Sequence, residues 1–145
     1  IWSAPIRDET ELSLVETAIK TNLPVLGVCR GFQLLQHYLG GKLTQVEPSR
    51  HVSTRHTVKV LDSRFGPNNR YVNSFHNWGV TESDLAPDLT ATALTNDGFV
   101  EAATAKKFNF FGIQWHPERS RSDLTSDNQI IAGIFNLKLP KTKWK

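Results

Sequence analysis

Cys29 is the single cysteine among 145 residues, and its position suits nucleophilic chemistry. It directly follows Pro24-Val25-Leu26-Gly27-Val28, a continuous apolar run of the kind buried on both faces of a parallel sheet. Arg30-Gly31 come next, then a helical pattern carrying Leu34, Leu35, Tyr38 and Leu39. A side chain between strand and helix projects at the carboxyl edge of an α/β sheet, where open folds of this class bind ligands. The helix N-terminus favours the thiolate, the nucleophilic form of sulfur. Gly31 permits a tight turn, and the N–H groups just after Cys29 can face an oxyanion. The arrangement parallels the nucleophile elbow of hydrolases with sulfur in place of oxygen. A lone cysteine packed as a small hydrophobe is the bland alternative.

A cysteine nucleophile needs a base, and five histidines are available. His116 stands out in Gln114-Trp115-His116-Pro117-Glu118, just past the apolar run that begins at Phe110. It therefore also falls at a sheet edge. Pro117 breaks the strand and forces an extended turn, which lets Glu118 swing back to hold the imidazole nitrogen that faces away from the sulfur. That is the nucleophile–base–orienter order of a triad. His51, His56 and His76 do not stand at metal-ligand spacing with a carboxylate, so no metal site is expected. His37 falls in the helix after Cys29 and reads as a surface or boundary residue. Trp2, Trp78, Trp115 and Trp144 read as packing or rim residues, and Arg119, Arg121 and Asp123 as a solvated mixed-charge loop.

Both candidates need an alternation of helices and strands to hold them. Asp8-Glu9-Thr10-Glu11 predicts a helix start, with Asp8 capping free N–H groups and Glu11 as its reciprocal partner. Leu12, Val15, Ala18 and Ile19 then give one apolar face. Gly40-Gly41 stops the helix that follows Cys29. Beyond it the pattern is β: Lys42–Val46, Thr57–Leu61, Arg70–Asn73, Leu89–Leu94, Val100–Ala103 and Phe110–Trp115 are predicted strands, separated by turn residues. Asn96-Asp97-Gly98 predicts a hairpin. A last helix is expected from Ser126 to Leu137, with Ile130, Ile131, Ile134 and Phe135 buried. Helix, strand, helix in this order indicates an α/β fold.

Composition sets the outer bounds. Hydrophobic residues make up 39% and charged residues 21%, a folded rather than a disordered balance. No run approaches the ~20 apolar residues of a membrane helix. The net charge of +3 invites a nucleic-acid reading, but Lys138, Lys141, Lys143 and Lys145 carry it. Without these four, 13 Lys and Arg face 14 Asp and Glu, so residues 138–145 read as a solvated basic tail. There is no Met, and the chain opens at Ile1 without a signal-peptide pattern. The expectation is a single domain over 1–145 whose upstream residues are missing.

Gly27-Val28-Cys29-Arg30-Gly31-Phe32-Gln33 together with Gly112-Ile113-Gln114-Trp115-His116-Pro117-Glu118 resembles the class I glutamine amidotransferase-like superfamily. The resemblance covers nearly the whole chain. It implies an α/β, flavodoxin-like three-layer sandwich with a mostly parallel central sheet. It implies Cys29 as nucleophile, His116 as general base and acid, Glu118 as its orienter, and the backbone N–H of Arg30 as half of the oxyanion hole. Gln33 would help hold the glutamyl head group. Arg after the cysteine is similar to the γ-glutamyl hydrolases, whereas ammonia-donating glutaminase domains more often carry Leu. Val72-Asn73-Ser74-Phe75-His76-Asn77 fits that branch, so Ser74 and His76 would line the pocket, and Asn77 and Trp78 would offer main-chain contacts to glutamate. Asn77-Trp78-Gly79 looks most like hydrolases of γ-glutamyl-nucleotide amidates in capsule-sugar modification. Asp97-Gly98-Phe99-Val100-Glu101-Ala102 matches the family's hairpin.

The activity so implied is cytoplasmic hydrolysis of a small-molecule γ-glutamyl amide through a thioester, with no cofactor, no nucleic acid and no membrane. A second copy of the chain or a synthase subunit is the protein partner the resemblance leaves open. Two other readings stand beside this one: a glutaminase supplying ammonia to a synthase, and a non-catalytic binding module on the same fold. In the family, upstream strands complete the sheet and a Gly-containing loop supplies the second oxyanion donor. Neither occurs in these residues, so this chain alone is expected to be an incomplete enzyme.

Overall fold

Helix α1 runs from Pro5 to Lys20, three residues earlier than the Asp8 start read from the sequence. Proline's fixed φ suits the first helical position, where its missing N–H costs nothing. Ala4 caps without a side-chain bond, which leaves Asp8 and Glu11 inside the helix. One turn apart on one face, both carboxylates hold the guanidinium of Arg30. The computed structural model describes residues 4–119 and 124–136. The expected lysine tail, Trp2, Trp144, Arg121, Asp123 and the helix end at Leu137 lie outside the described residues.

Strand β1 (Val25–Val28) leads into α2 (Arg30–Tyr38). There follow β2 (Thr44–Gln45), the single turn α3 (Pro48–His51), β3 (Thr54–Val60), β4 (Asn69–Ser74) and β5 (Trp78–Gly79). Next come β6 (Leu89–Thr95), β7 (Val100–Ala105), β8 (Phe110–Ile113) and α4 (Leu124–Ile134). The main sheet has the order β1-β8-β7-β6-β3-β4, while β2 and β5 form a separate antiparallel ribbon. The strand read over Lys42–Val46 is thus short and outside the main sheet.

The α/β layering follows the expectation, and the sheet is mixed. Among the described residues β1 and β8 pair in parallel, and the other four pairings of the main sheet are antiparallel. Short connections enforce this, since a parallel pair needs a long crossover and a tight turn returns the chain antiparallel. The turn after Thr95 is such a hairpin, with Gly98 at φ +86 and the Thr95 N–H donating to the Phe99 carbonyl at 2.9 Å.

Each face of the sheet carries its own core. Phe32, Leu35, Val80, Leu89, Val100, Ala103 and Phe110 pack on the α2 side, with Val15 of α1 against them. Val58, Phe65, Val72, Ala102, Ile113 and Trp115 pack on the opposite side with Ile130 of α4. Phe32 is wholly buried, a contribution of about 1.5–3 kcal/mol for a side chain of its size. Its close approach to β8 requires glycine at 112, where a Cβ would stand 2.4 Å from the ring. Gly27 likewise admits the turn into α2, since its Cβ would stand 2.9 Å from the Gly31 carbonyl carbon.

Candidate active site

The parallel register of β1 with β8 pairs Val28 with Ile113. Cys29 is the next residue on one strand, and His116 lies three residues beyond the end of the other. Both candidates therefore leave the carboxyl ends of neighbouring strands. The main chain is pinned at this point: the Cys29 N–H donates to the Ile113 carbonyl at 2.7 Å, and the Cys29 carbonyl accepts from the Gln33 N–H at 3.1 Å.

Cys29 itself carries the bend, at φ +47 and ψ −99. A non-glycine residue in such a region costs of order 1–3 kcal/mol and is held there by its surroundings. Gly31, read from sequence as the turn residue, lies within α2 and outside the positive-φ region. Burial pushes the Cys29 thiol up from the ordinary 9.0 to about 11, against the backbone N–H of Arg30, which lowers it. Glu101 raises it further, Arg119 lowers it and Glu118 raises it. This direction runs against the expected preference for thiolate, because burial outweighs the Arg30 N–H. At neutral pH the group is a thiol, and its proton must move during attack.

The structure brings His116 and Glu118 together. Nδ1 of His116 stands 2.6 Å from Oε1 of Glu118. Burial pushes the Glu118 carboxyl up, but the hydrogen bond with His116, a backbone N–H and the charges of His116 and Arg119 together outweigh it and hold the group below the usual carboxylate range. A carboxylate at Nδ1 fixes the proton there and leaves Nε2 as the basic nitrogen. Phe75 meets the imidazole edge-on with ring centroids 6.0 Å apart, and the Arg119 guanidinium lies 4.5 Å over the Phe75 ring.

Sequence reasoning passed over Asn73 as a functional residue. Its carboxamide Oδ1 accepts the His116 N–H at 2.8 Å, and its Nδ2 donates to the His116 carbonyl at 2.8 Å. The available signal was a buried-strand pattern, Val72-Asn73-Ser74, holding an amide that must find partners. The Arg30 guanidinium turns away to α1, so only its N–H serves the sulfur.

The residues assigned by resemblance to the pocket divide into two groups. Gln33 donates from Nε2 to the Trp78 carbonyl at 2.7 Å, and Gln114 donates to the same oxygen at 3.2 Å. The segment around Trp78 is thereby tied to the strand ends that bear Cys29 and His116. The Trp78 side chain is exposed, as is Asn77, whose carbonyl accepts from the Val46 N–H. Ser74 and His76, expected to line the pocket, are buried instead. Ser74 donates its hydroxyl to the His51 carbonyl at 2.7 Å, and His76 Nδ1 lies 3.0 Å from the Trp78 carbonyl. His37 is exposed on α2, and Trp115 is wholly buried in the core.

The reading that no carboxylate stands with the central histidines is also corrected. Glu101, wholly buried on β7, has its oxygens 3.3 Å from His76 Nε2 and 3.4 Å from His56 Nε2. Burial pushes its carboxyl up, but these two histidines outweigh that and hold it at about 2. Spacing along the chain could not reveal this, since the partners come from separate strands.

A layered α/β sheet with Cys29 and His116 at adjoining strand ends has the architecture of the class I glutamine amidotransferase-like proteins. Within that class the chain belongs to the Peptidase C26 family, whose profile matches residues 3–118. It is 40% identical over 147 residues to the glutamine amidotransferase-like protein YvdE of Lactococcus lactis, covering 91% of this chain and 61% of that one. It is 33% identical over 131 residues to the γ-glutamyl-CDP-amidate hydrolase of Campylobacter jejuni, covering 90% of this chain and 60% of that one. A glutamine amidotransferase from Thermotoga maritima shares the fold, with a TM-score of 0.66 at 20% identity over 88% of this chain and 54% of the other. The chain spans about three fifths of the length of the curated relatives it matches.

Proposed function

We propose that the protein hydrolyses a γ-glutamyl amide with Cys29 as nucleophile. The observation that carries this reading is the parallel register of β1 and β8, which sets Cys29 and the Glu118-paired His116 at adjoining strand ends. The Cys29 sulfur attacks the γ-carbonyl carbon as His116 Nε2 takes the thiol proton. The oxyanion is met by the Arg30 N–H, an interaction of about 3 kcal/mol for an effective donor. The carbonyl then reforms, the C–N bond breaks, and His116 returns its proton to the departing amine. Water, deprotonated by His116, cleaves the thioester to glutamate and restores the thiol. Similarity to a γ-glutamyl-CDP-amidate hydrolase supports a large amine or amidate leaving group.

The test is turnover by the purified protein of γ-glutamyl amides, including γ-glutamyl nucleotide amidates, against free glutamine. The proposal predicts preference for the substituted amides and release of free glutamate. Preferential turnover of glutamine, stimulated by a synthase partner, would overturn it in favour of ammonia delivery.

A further inference from the structure

Behind the candidate active site lies a cluster that the proposed reaction does not use. His51, His76 and Glu101 are all buried, and a nitrogen of each histidine and an oxygen of the carboxylate lie within 4.8 Å of one another. The His51 ring centroid is 5.1 Å from that of His76 and 5.0 Å from that of His56. Two imidazoles and one carboxylate thus converge, from α3, the segment after β4, and β7, with the His56 imidazole of β3 beside them.

The partners of the outer nitrogens decide which way the lone pairs face. His51 Nε2 lies 3.1 Å from Asp97 Oδ2. His76 Nδ1 meets the Trp78 carbonyl at 3.0 Å, and His56 Nδ1 meets the Arg50 carbonyl at 3.3 Å. Ionised carboxylates and carbonyls only accept, so each outer nitrogen carries the proton. The inner nitrogens are then His51 Nδ1, His76 Nε2 and His56 Nε2. All three are buried, and although His76 and His56 Nε2 stand 3.3 and 3.4 Å from the Glu101 oxygens, none of these atoms meets hydrogen-bond geometry. In neutral rings their lone pairs face a buried anion. Something positive between them resolves that repulsion: extra protons, or a cation.

We infer that His51, His76 and Glu101 form a binding site for a divalent cation of the zinc class, with His56 beside it. Two nitrogens and a carboxylate oxygen are the donor set such an ion takes. Bonds of about 2.0–2.1 Å in a tetrahedron set neighbouring ligands about 3.3–3.4 Å apart, and the His76 and His56 nitrogens stand 3.3 and 3.4 Å from the Glu101 oxygens. Histidine ligands commonly give their other N–H to a carboxylate or carbonyl, which fixes ring and tautomer. Asp97, Trp78 and Arg50 hold these rings in that way. A polar cavity of about 340 Å³, lined in part by His56, Asp97 and Thr57, lies beside the cluster. The site also touches the proposed chemistry, because the Trp78 carbonyl held by His76 is the one that Gln33 and Gln114 hold.

The experiment is titration of chelator-treated protein with Co²⁺ alone, read by ligand-field absorption and by nitrogen shifts of histidine-labelled protein. One equivalent is expected to bind, to raise the melting temperature, and to move the inner nitrogens of His51 and His76 while His37 and His116 stay. Cys29→Ser is expected to keep the binding. Asp97→Asn, at the rim, is expected to weaken it about 10–100-fold. Absence of one-to-one uptake, imidazolium signals that Co²⁺ leaves unchanged, or binding lost in Cys29→Ser would each overturn the assignment. The nitrogen shifts need no variant, so the result stands even if Glu101→Gln fails to fold, and it is independent of whether γ-glutamyl amides are cleaved.

Discussion

The carboxamide of Asn73 grips His116 by both main-chain polar groups, accepting from its N–H and donating to its carbonyl, each at 2.8 Å. The His116 backbone follows a strand end and precedes Pro117, where no ladder partner is available. Asn73 supplies a partner for each group from β4, and the His116 carbonyl also accepts the Arg119 N–H at 3.2 Å. It is a positioning residue, acting on the proposed base through the backbone.

Asn73→Asp preserves the shape and removes the donor, setting a carboxylate oxygen against the His116 carbonyl. Displacement of a catalytic group by about 1 Å costs on the order of 10²-fold. The expected result is a kcat lowered to about that extent with KM little changed, and a shifted pH profile. A purely structural role would lower the melting temperature and leave kcat and its pH profile unaltered.

Strain at Cys29 is separable from its chemistry. At φ +47 and ψ −99, glycine is unstrained where alanine is not. Cys29→Gly is expected to be more stable than Cys29→Ala by about 1 kcal/mol in urea unfolding, although glycine usually loses such comparisons. Equal stability, or alanine ahead, would mean that the turn is relaxed.

Burial pushes the Cys29 thiol up to about 11. Alkylation by a neutral reagent such as iodoacetamide follows the thiolate fraction. Its rate is therefore expected to climb close to tenfold per pH unit from 7 to 10. A plateau beginning below pH 8 would indicate a preformed thiolate instead.

On the far face of the sheet, Asp127 accepts from Arg70 at 2.8 Å and from the Trp115 indole N–H at 3.0 Å, all three buried. Removing one member of a buried ion pair strands the other charge. Asp127→Ala is expected to lose about 3–5 kcal/mol of stability. The double replacement Arg70→Met with Asp127→Leu is expected to lose less, which calorimetry or urea unfolding can check.

Local patterns in the sequence made much of this legible. Val25–Val28 before Cys29, Asn96-Asp97-Gly98 between two apolar runs, and His116-Pro117-Glu118 all announce structure within a few residues. Relations across space were not legible. Asp8 and Glu11 looked like a capping pair and instead hold Arg30, because Pro5 starts the helix earlier. Glu101, a carboxylate in the otherwise apolar Val100–Ala105, signalled a need for partners but not that His56 and His76 would supply them. Asn73 looked like part of a pocket strand, and only the adjacency of β4 to the chain after β8 gives it His116. Ser74 and His76 were placed by resemblance in the pocket, yet both are buried, Ser74 on the His51 carbonyl and His76 beside Glu101.

The central claim, that Cys29 is acylated by a γ-glutamyl group, is most directly tested by mapping the adduct of a γ-glutamyl electrophile by peptide mass spectrometry. The account predicts one adduct on Cys29 in the wild-type protein, none in Cys29→Ala, and protection by a γ-glutamyl amide. Equal labelling of the wild type and Cys29→Ala, or an adduct at another residue that the amide does not protect, would contradict it.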